Sequence, residues 1–311
     1  MDKLHLMKKI RDVYERGGNI IEYLNTIEGE KKANSLEDIL ISYDFQAGNY
    51  YRAYKSNPSY FSSQYDEMAA ILDGYMEQCG KDCTILEGGV GEGRSLVSIL
   101  NRIDPSKIKR AYGFDASWSR IKYAEKFEKE FGKKQNEKIS FFTSDLLNIA
   151  VKDSAIDIVF TVHAAEPNGG KEKQILEELY RISGKYLVMF EPIYEFANED
   201  AKKRMEYHGY ITGLYEKALE LGYSVIKYEL LKNLMDIMNP TGILVIEKKK
   251  SGVKNRCKNV FCDPILKRDI RIGKNEYYCE ETMLVYPVIL GIPCLLADNA
   301  VVATKYNEFI D

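Results

Sequence analysis

The most informative segment of the chain is the run Ile85-Leu86-Glu87-Gly88-Gly89-Val90-Gly91-Glu92-Gly93. Apolar residues lead into an acid, glycines stand at positions 89, 91 and 93, and a helix-like window follows. Glycine allows a sharp turn and lets a ligand approach the backbone, while the first turn of a helix offers unpaired N–H groups. The segment therefore predicts a strand, a tight loop and a helix. The loop either binds a ligand or uses its glycines for packing alone.

Acids also follow the next two apolar segments. Asp115 comes 22 residues after Gly93, and Asp145 is followed by the apolar Leu146. A carboxylate at the end of a strand can accept hydrogen bonds from ribose hydroxyls, and an acid beside an apolar wall suits an adenine amino group. Because ligands bind at the carboxyl edge of an open α/β sheet, three successive strands ending in acids predict a nucleoside-like ligand there.

Apolar segments alternate with helix-like windows from residue 71 onward. The predicted strands are Thr84–Glu87, Arg110–Phe114, Ile139–Thr143, Ile156–Thr161 and Tyr186–Phe190. The predicted helices are Arg94–Arg102, Ser119–Phe131, Lys171–Ile182 and Asp200–Leu221. This alternation is typical of a parallel sheet covered by helices on both faces. Two later strands, Tyr223–Leu231 and Gly242–Glu247, are separated only by a loop, which predicts an antiparallel pair that closes the sheet.

The combination resembles the class I S-adenosylmethionine-dependent methyltransferases, with a domain of the methyltransferase type 11 kind at residues 71–250. Their first motif is an acid followed by alternating glycines, as in this chain, whereas a dinucleotide loop favours Gly-x-Gly-x-x-Gly. The resemblance implies an α/β fold with a Rossmann-like, seven-stranded, mostly parallel sheet whose last strand is antiparallel, and S-adenosylmethionine as cofactor. The cofactor-binding residues that it implies are Glu87, Gly88, Gly89, Gly91, Gly93, Asp115, Ala116, Ser117, Asp145 and Leu146.

The loop after the fourth predicted strand contains the candidate catalytic residues His163 and Glu166. It is expected to lie over the bound sulfonium. An imidazole with a near-neutral pKa can take a proton from a hydroxyl as the methyl group arrives, so His163 is a candidate general base. Glu166 would orient it or bind substrate, and Glu191 after the fifth strand is a second acid on the substrate side. In the alternative reading, His163 only packs on the cofactor.

Residues 1–70 predict an N-terminal helical cap that ends in a tyrosine-rich segment. Within it, the run from Ser42 to Tyr50 resembles the upstream segment that many of these methyltransferases fold over the cofactor. By that resemblance, Tyr43, Gln46 and Tyr50 close the methionine end of the site. The alternative is a cap in which the tyrosines serve packing alone.

Residues 251–311 predict a small β-rich module. Its run from Leu284 to Leu296 resembles the closing segment of the small zinc-ribbon-like activator subunits of tRNA and translation-factor methyltransferases. The zinc form has two Cys-x-x-Cys knuckles, but here Ile265 and Thr282 stand where the second cysteines would be. Two sulfur ligands do not complete a structural zinc site, so no metal is expected. The module would dock on the catalytic domain, form a homodimer or help present substrate.

Composition narrows the class of protein. The 311 residues are 45% hydrophobic and 29% charged, which is typical of a globular chain with two or three domains. A net charge of −3 gives no overall basic field, so nucleic acid is not favoured as a partner. The sequence shows no segment fit for a signal peptide or a membrane span, and its six cysteines form no framework. A cytoplasmic location is expected.

The expected function is methyl transfer from S-adenosylmethionine to a small-molecule or saccharide acceptor, such as a glycan precursor, at oxygen. RNA methylation is one alternative, suggested by the resemblance of the C-terminal module, although no Asn-Pro-Pro-Tyr sequence follows the fourth strand. The other alternative is a scaffold protein that binds the cofactor without turnover, because a fold does not guarantee an activity.

Overall fold

The computed structural model describes residues 3–28, 36–133, 139–249 and 259–310. A seven-stranded sheet is formed by β1 (Cys83–Gly88), β2 (Ile108–Asp115), β3 (Ile139–Thr143), β4 (Ile156–Val162), β5 (Ser183–Pro192), β6 (Ser224–Leu230) and β7 (Thr241–Glu247). The strand order is 3-2-1-4-5-7-6. Strand β7 runs antiparallel to both neighbours, whereas the other pairs are parallel. The predicted fold class, a mostly parallel methyltransferase-type sheet closed by an antiparallel strand, is confirmed.

The central strands are apolar on both faces, which is why helices cover both. Neighbouring residues such as Leu187 and Val188 belong to opposite core clusters, as the alternation along a strand requires. One face packs on α5 (Ser62–Cys79), α6 (Arg94–Leu100) and α7 (Trp118–Phe131), and the other on α8 (Glu172–Ile182) and α10 (Leu214–Glu220). Among the described residues, no helix is both long and apolar enough to cross a bilayer.

The segment predicted as one helix, Asp200–Leu221, contains two. Helix α9 (Glu199–Tyr207) ends before Gly209, and α10 begins after Gly213. These two glycines have φ angles of 64° and 72°, in the left-handed region that a continuous helix does not contain. The single-helix prediction was therefore wrong here, and the break brings Arg204 and Tyr210 to the cavity described below.

The head, residues 3–56 where described, consists of α1 (Lys3–Glu15), α2 (Ile20–Glu28), α3 (Leu36–Phe45) and α4 (Asn49–Ser56). Two carboxylates join the head to the sheet domain. One belongs to the head and caps a helix of the sheet domain, and the other belongs to the sheet domain and caps a helix of the head. Asp44 of the head accepts hydrogen bonds from the Ser117 hydroxyl at 2.6 Å and from the first turn of α7. Glu92 lies in the loop between β1 and α6, called the glycine loop below. It accepts hydrogen bonds from the N–H groups of Gly48 at 2.9 Å and Tyr51 at 2.6 Å, at the start of α4. Carboxylates at helix N-termini are favourable, so this exchange fixes the head over the loop.

The tail, residues 259–310, contains a small antiparallel sheet. Its strands are β8 (Arg271–Ile272), β9 (Glu276–Cys279), β10 (Leu284–Ile289), β11 (Ile292–Pro293) and β12 (Val301–Val302). The tail adjoins the edge strand of the large sheet, where Leu295 N–H donates to the Thr143 carbonyl at 3.0 Å. Phe261 packs on Phe142 with 5.0 Å between ring centroids. The tail thus covers the β3 edge, next to the end of β3 where Ser144 and Asp145 begin.

A buried carboxylate holds the tail's first turn. Asp263 is fully buried and accepts hydrogen bonds from the Tyr286 hydroxyl at 2.7 Å, the Thr282 hydroxyl at 3.2 Å and the Ile265 N–H at 2.9 Å. These bonds tie the turn to β10. Within the four described ranges, no group of three or more His, Cys, Asp or Glu side chains is arranged to hold a metal ion.

Candidate active site

A cavity of about 480 Å³ opens at the carboxyl ends of β1 to β4. This volume is in the range of small-molecule and cofactor sites, roughly 300–1,000 Å³. Its walls come from the glycine loop, the ends of β2, β3 and β4, the head and the loop before β7. The sequence-predicted residues that line it are Tyr43, Tyr50, Gly89, Gly91, Asp115, Ala116, Asp145, Leu146, His163 and Glu166.

The other predicted residues lie behind this wall. A Cβ atom at Gly93 would lie 3.0 Å from Ala124, so this glycine lets α6 pack closely on α7, and a Cβ at Gly88 would meet Phe114 at 3.2 Å. Ser117 caps α7 by accepting the Arg120 N–H at 3.1 Å. The Gln46 amide, just beyond the end of α3, donates to Ser42 Oγ at 3.1 Å. Their contacts in this structure are those of packing and capping.

Glu87 is fully buried beneath the glycine loop. Its Oε1 atom accepts a hydrogen bond from the hydroxyl of Ser95, a residue that does line the cavity. Burial raises the pKa of Glu87 to about 8, although the Ser95 hydrogen bond and the charge of Arg94 act against this. The raised pKa favours the protonated carboxyl group at neutral pH. The cavity wall contains Ser95 but not Glu87.

Two glycines shape the loop that borders the cavity. Gly89 and Gly91 have φ angles of 66° and 54°, which side chains rarely adopt. A Cβ atom at Gly89 would lie 2.4 Å from the Cβ of Ala164, so the loop packs directly against the loop after β4. At Gly91 the nearest atom to such a Cβ belongs to Arg120, at 3.7 Å, which leaves the backbone open to a ligand.

The two strand-end aspartates are positioned by backbone N–H groups. Asp115 accepts bonds from Gly91 N at 3.1 Å and from Ser117 N at 2.9 Å, one on each oxygen. Asp145 accepts the Leu147 N–H at 2.9 Å, and burial raises its pKa. Each carboxylate oxygen can accept about two hydrogen bonds, so both side chains keep acceptor positions beside the cavity.

His163 and Glu166 form a partly buried pair at the end of β4. Nδ1 of His163 lies 2.7 Å from Glu166 Oε2, and Nε2 lies 2.7 Å from Thr241 Oγ1. The amide of Asn239 donates to the other oxygen of Glu166 at 3.1 Å. Burial lowers the pKa of His163, but the hydrogen bond and charge of Glu166 outweigh it, so the pKa is raised from 6.5. Burial acts to raise the pKa of Glu166, yet the bond to His163 keeps it lowered.

Glu191, at the end of β5, fixes this loop from below. Its fully buried carboxylate faces the N–H groups of Ala164, Ala165 and Glu166 at 3.1, 3.2 and 3.3 Å. His163 itself has a φ of 53°, a left-handed conformation that is uncommon for a residue other than glycine. Such a conformation persists only where the surroundings enforce it, and the three bonds to Glu191 do so. The residue predicted as a substrate-side acid thus supports the loop.

Sequence reasoning missed the arginines of the cavity. Arg120 is only 7% exposed, and its guanidinium lies 4.5 Å from the ring centroid of Tyr43 and 5.0 Å from that of Tyr50. Its Nε atom is buried without a hydrogen-bond partner among the described residues. Arg94, directly after the glycine loop, lies over the Phe61 ring at 4.1 Å. Each arginine follows a predicted strand and its loop by a few residues. This spacing could have indicated that both lie near the cavity.

Sequence reasoning also missed the residues opposite His163. Gln64, Asn239 and Thr241 line the cavity, together with Arg204 of α9 and Tyr210 of the break between α9 and α10. An antiparallel strand begins at the edge where the parallel strands end. The prediction of β7 as antiparallel could therefore have placed Asn239 and Thr241 at this edge.

No protein-family model matches the chain, and no curated protein does. Solved structures match in shape. Magnesium protoporphyrin IX methyltransferase from Synechocystis PCC 6803 is 14% identical, with a TM-score of 0.47 over 78% of this chain and 99% of that one. Geranyl diphosphate C-methyltransferase from Streptomyces coelicolor is 10% identical (TM-score 0.43, 57% and 76% covered). An S-adenosylmethionine-dependent methyltransferase from Aquifex aeolicus is 18% identical (TM-score 0.38, 55% and 86% covered). Similarity at these identities concerns the fold alone.

Proposed function

We propose that this chain transfers a methyl group from S-adenosylmethionine to a hydroxyl oxygen of a small-molecule acceptor of the saccharide or glycan-precursor type. One observation supports this most directly. The same cavity contains acids from the ends of β2 and β3 and a histidine–carboxylate pair from the end of β4. Strand-end acids suit the hydroxyls and amino group of a nucleoside, and a neutral histidine suits deprotonation of an alcohol.

The cofactor half of the cavity fits S-adenosylmethionine. The free acceptor positions of Asp115 suit two ribose hydroxyls, and Leu146 beside Asp145 suits the apolar face and amino group of adenine. The buried Nε of Arg120 gains from a ligand acceptor, because a buried polar atom without a partner costs free energy. Arg94 at the start of α6 suits the carboxylate of the methionine part.

Bound S-adenosylmethionine supplies an electrophilic methyl group on a positively charged sulfur. The chain supplies alignment and a proton acceptor. His163 accepts a proton only when it is neutral, and Glu166 then holds the ring through its Nδ1–H. Glu191 keeps the His163 loop against the glycine loop, so that the base keeps its position relative to the cofactor site.

We also propose that the chain divides by role into a cap (1–70), a catalytic region (71–250) and a module (251–311). The boundary between residues 70 and 71 lies inside α5, so the cap and the catalytic region share a helix. The contacts of the tail support docking, the first of its three expected roles. Besides the bond to Thr143, Trp118 Nε1 donates to the Ile289 carbonyl at 3.3 Å. A homodimer and a likeness to zinc ribbons stay predictions.

Isothermal titration of the protein with S-adenosylmethionine, and separately with NAD, tests the cofactor. Binding of S-adenosylmethionine alone is expected. The same protein is then incubated with S-adenosylmethionine and with methyl α-D-glucopyranoside, glycerol or catechol, and release of S-adenosylhomocysteine is measured. Turnover with a hydroxyl acceptor supports the proposal. Tight binding without turnover on any hydroxyl compound would favour the scaffold, and binding of NAD alone would refute the cofactor assignment.

A further inference from the structure

The ring nitrogen that His163 would use as a base already faces a hydroxyl group of the chain. Thr241 Oγ1 lies 2.7 Å from Nε2 of His163, and Thr241 lines the cavity. The two residues are 78 positions apart, so this contact is a product of the fold. Any proton that reaches Nε2 from the cavity must therefore pass through Thr241 or displace it.

The hydrogen-bonding groups around this contact are consistent with one direction of donation. The amide nitrogen of Asn239 donates to Glu166, so the carboxylate is an acceptor for both Asn239 and Nδ1 of His163. A neutral imidazole that donates from Nδ1 accepts at Nε2. The Thr241 hydroxyl then donates to Nε2, while the amide of Gln64, 3.5 Å away, can donate to the Thr241 oxygen. One lone pair of that oxygen remains for a donor in the cavity.

We propose that Thr241 is a catalytic residue that passes the proton of the acceptor hydroxyl to His163, an inference that rests on the function proposed above. The acceptor oxygen forms a bond to the methyl carbon while the carbon–sulfur bond of the cofactor breaks and its electron pair stays on sulfur. The acceptor proton moves to Thr241 Oγ1, and the proton of Thr241 moves to Nε2 of His163. The resulting imidazolium is stabilised by Glu166, 2.7 Å from Nδ1.

A hydroxyl, an imidazole and a carboxylate in this order also occur in enzymes with a covalent nucleophile. Those sites need N–H donors for an oxyanion. In this loop the N–H groups of Ala164, Ala165 and Glu166 face Glu191, and the Asn239 amide faces Glu166. The surroundings therefore favour proton transfer through Thr241 over attack by it.

The tautomer of His163 gives a test that needs no acceptor. The chain has three histidines, so ¹⁵N-histidine labelling gives a simple spectrum, and His163→Gln assigns the ring. At pH 9 we expect the proton on Nδ1 and an Nε2 resonance that shifts in Thr241→Val but not in Thr241→Ser. The matched control Thr304→Val, an exposed threonine of the tail, should leave the spectrum unchanged. A proton on Nε2 would overturn the proposal, because the ring would then donate to Thr241.

Turnover tests whether the proton passes through this hydroxyl. Release of S-adenosylhomocysteine with a hydroxyl acceptor should decrease by roughly tenfold or more in Thr241→Val and return to near the wild-type rate in Thr241→Ser, which keeps the hydroxyl. The Kd for S-adenosylmethionine should stay unchanged in both variants. Full turnover in Thr241→Val would overturn the proposal. Failure of S-adenosylmethionine to bind would refute the proposed function without changing the ¹⁵N spectrum.

Discussion

The two halves of the cavity are held together in different ways. In the cofactor half, Asp115 is bound by the N–H group two residues later and by that of Gly91, so short loops orient it. In the acceptor half, side chains bind one another across the fold: Gln64 contacts Thr241 over 177 positions of sequence. The first half is a set of acceptors fixed by backbone, and the second is a chain of side chains that can exchange a proton. Substitutions should therefore separate cofactor binding from turnover.

The largest effect is expected in the acceptor half. His163→Gln should lower turnover by roughly 10²–10⁴-fold, the usual contribution of a general base, while the Kd for S-adenosylmethionine stays unchanged. Because Nε2 must be unprotonated, wild-type turnover should increase with pH through the raised pKa of His163, above 6.5. Release of S-adenosylhomocysteine measured from pH 5.5 to 9 provides both results. Full turnover in His163→Gln would show that the ring only packs on the cofactor.

The next effect is expected in the cofactor half. Asp115→Asn keeps the size of the side chain but removes its charge, so the bonds to ribose lose charge assistance. Hydrogen bonds to charged groups contribute about 1.5–3 kcal/mol, which corresponds to about 10–100-fold weaker binding. Isothermal titration with S-adenosylmethionine measures this, with the exposed Asp298→Asn in the tail as control. An unchanged Kd in Asp115→Asn would remove Asp115 from the cofactor site.

The cofactor half could be predicted from sequence because its information is local. The run from Glu87 to Gly93, followed at regular distances by Asp115 and Asp145, contains both the turn chemistry and the strand ends. The fold class follows from the same alternation of strands and helices. Local patterns do not show which side chains of a loop line a cavity, however. Glu87 was predicted to bind the cofactor, and the cavity wall contains Ser95 but not Glu87.

The acceptor half could be predicted only in part. His163 and Glu166 are three residues apart, and the sequence suggested both. Their partners depend on the register of β7 against β5 and on the way α5 crosses the sheet, which no local pattern records. The break between α9 and α10 was hidden because the segment's apolar spacing continues across Gly209 and Gly213. Long-range geometry, rather than composition, determines this half of the site.

A smaller effect is expected where the two halves meet. Glu191→Gln replaces one oxygen that faces the N–H groups of the His163 loop by an amide NH₂, so at least one of those bonds is lost. The free energy of unfolding should decrease by about 1–3 kcal/mol, the cost of a buried donor left without a partner. Urea unfolding measures it, with the exposed Glu199→Gln as control. Equal stability of the two variants would mean that Glu191 does not support the loop.

The smallest effect concerns Glu87, the buried acid under the cofactor half. Its pKa is raised to about 8 in the folded chain, against 4.5 as its ordinary value. Between these values the folded state binds more protons than the unfolded state, so stability decreases as pH rises and is constant again above the folded pKa. Glu87→Gln removes this dependence. The stability of wild type relative to Glu87→Gln should therefore decrease by about 1 kcal/mol from pH 6.5 to 7.5, since one proton corresponds to about 1.36 kcal/mol per pH unit.

Urea unfolding of both proteins at the two pH values measures this difference, and other titrating groups, such as Glu128, cancel because both proteins contain them. A difference that does not change with pH would mean that Glu87 is already ionised in the folded protein. Its charge would then lie next to the Ser95 hydroxyl and the methionine end of the site, where it could attract a sulfonium. A decrease of the expected size instead means that Glu87 is a neutral support. In that case Asp115 and Asp145, at the cavity surface, provide the carboxylates of the cofactor half.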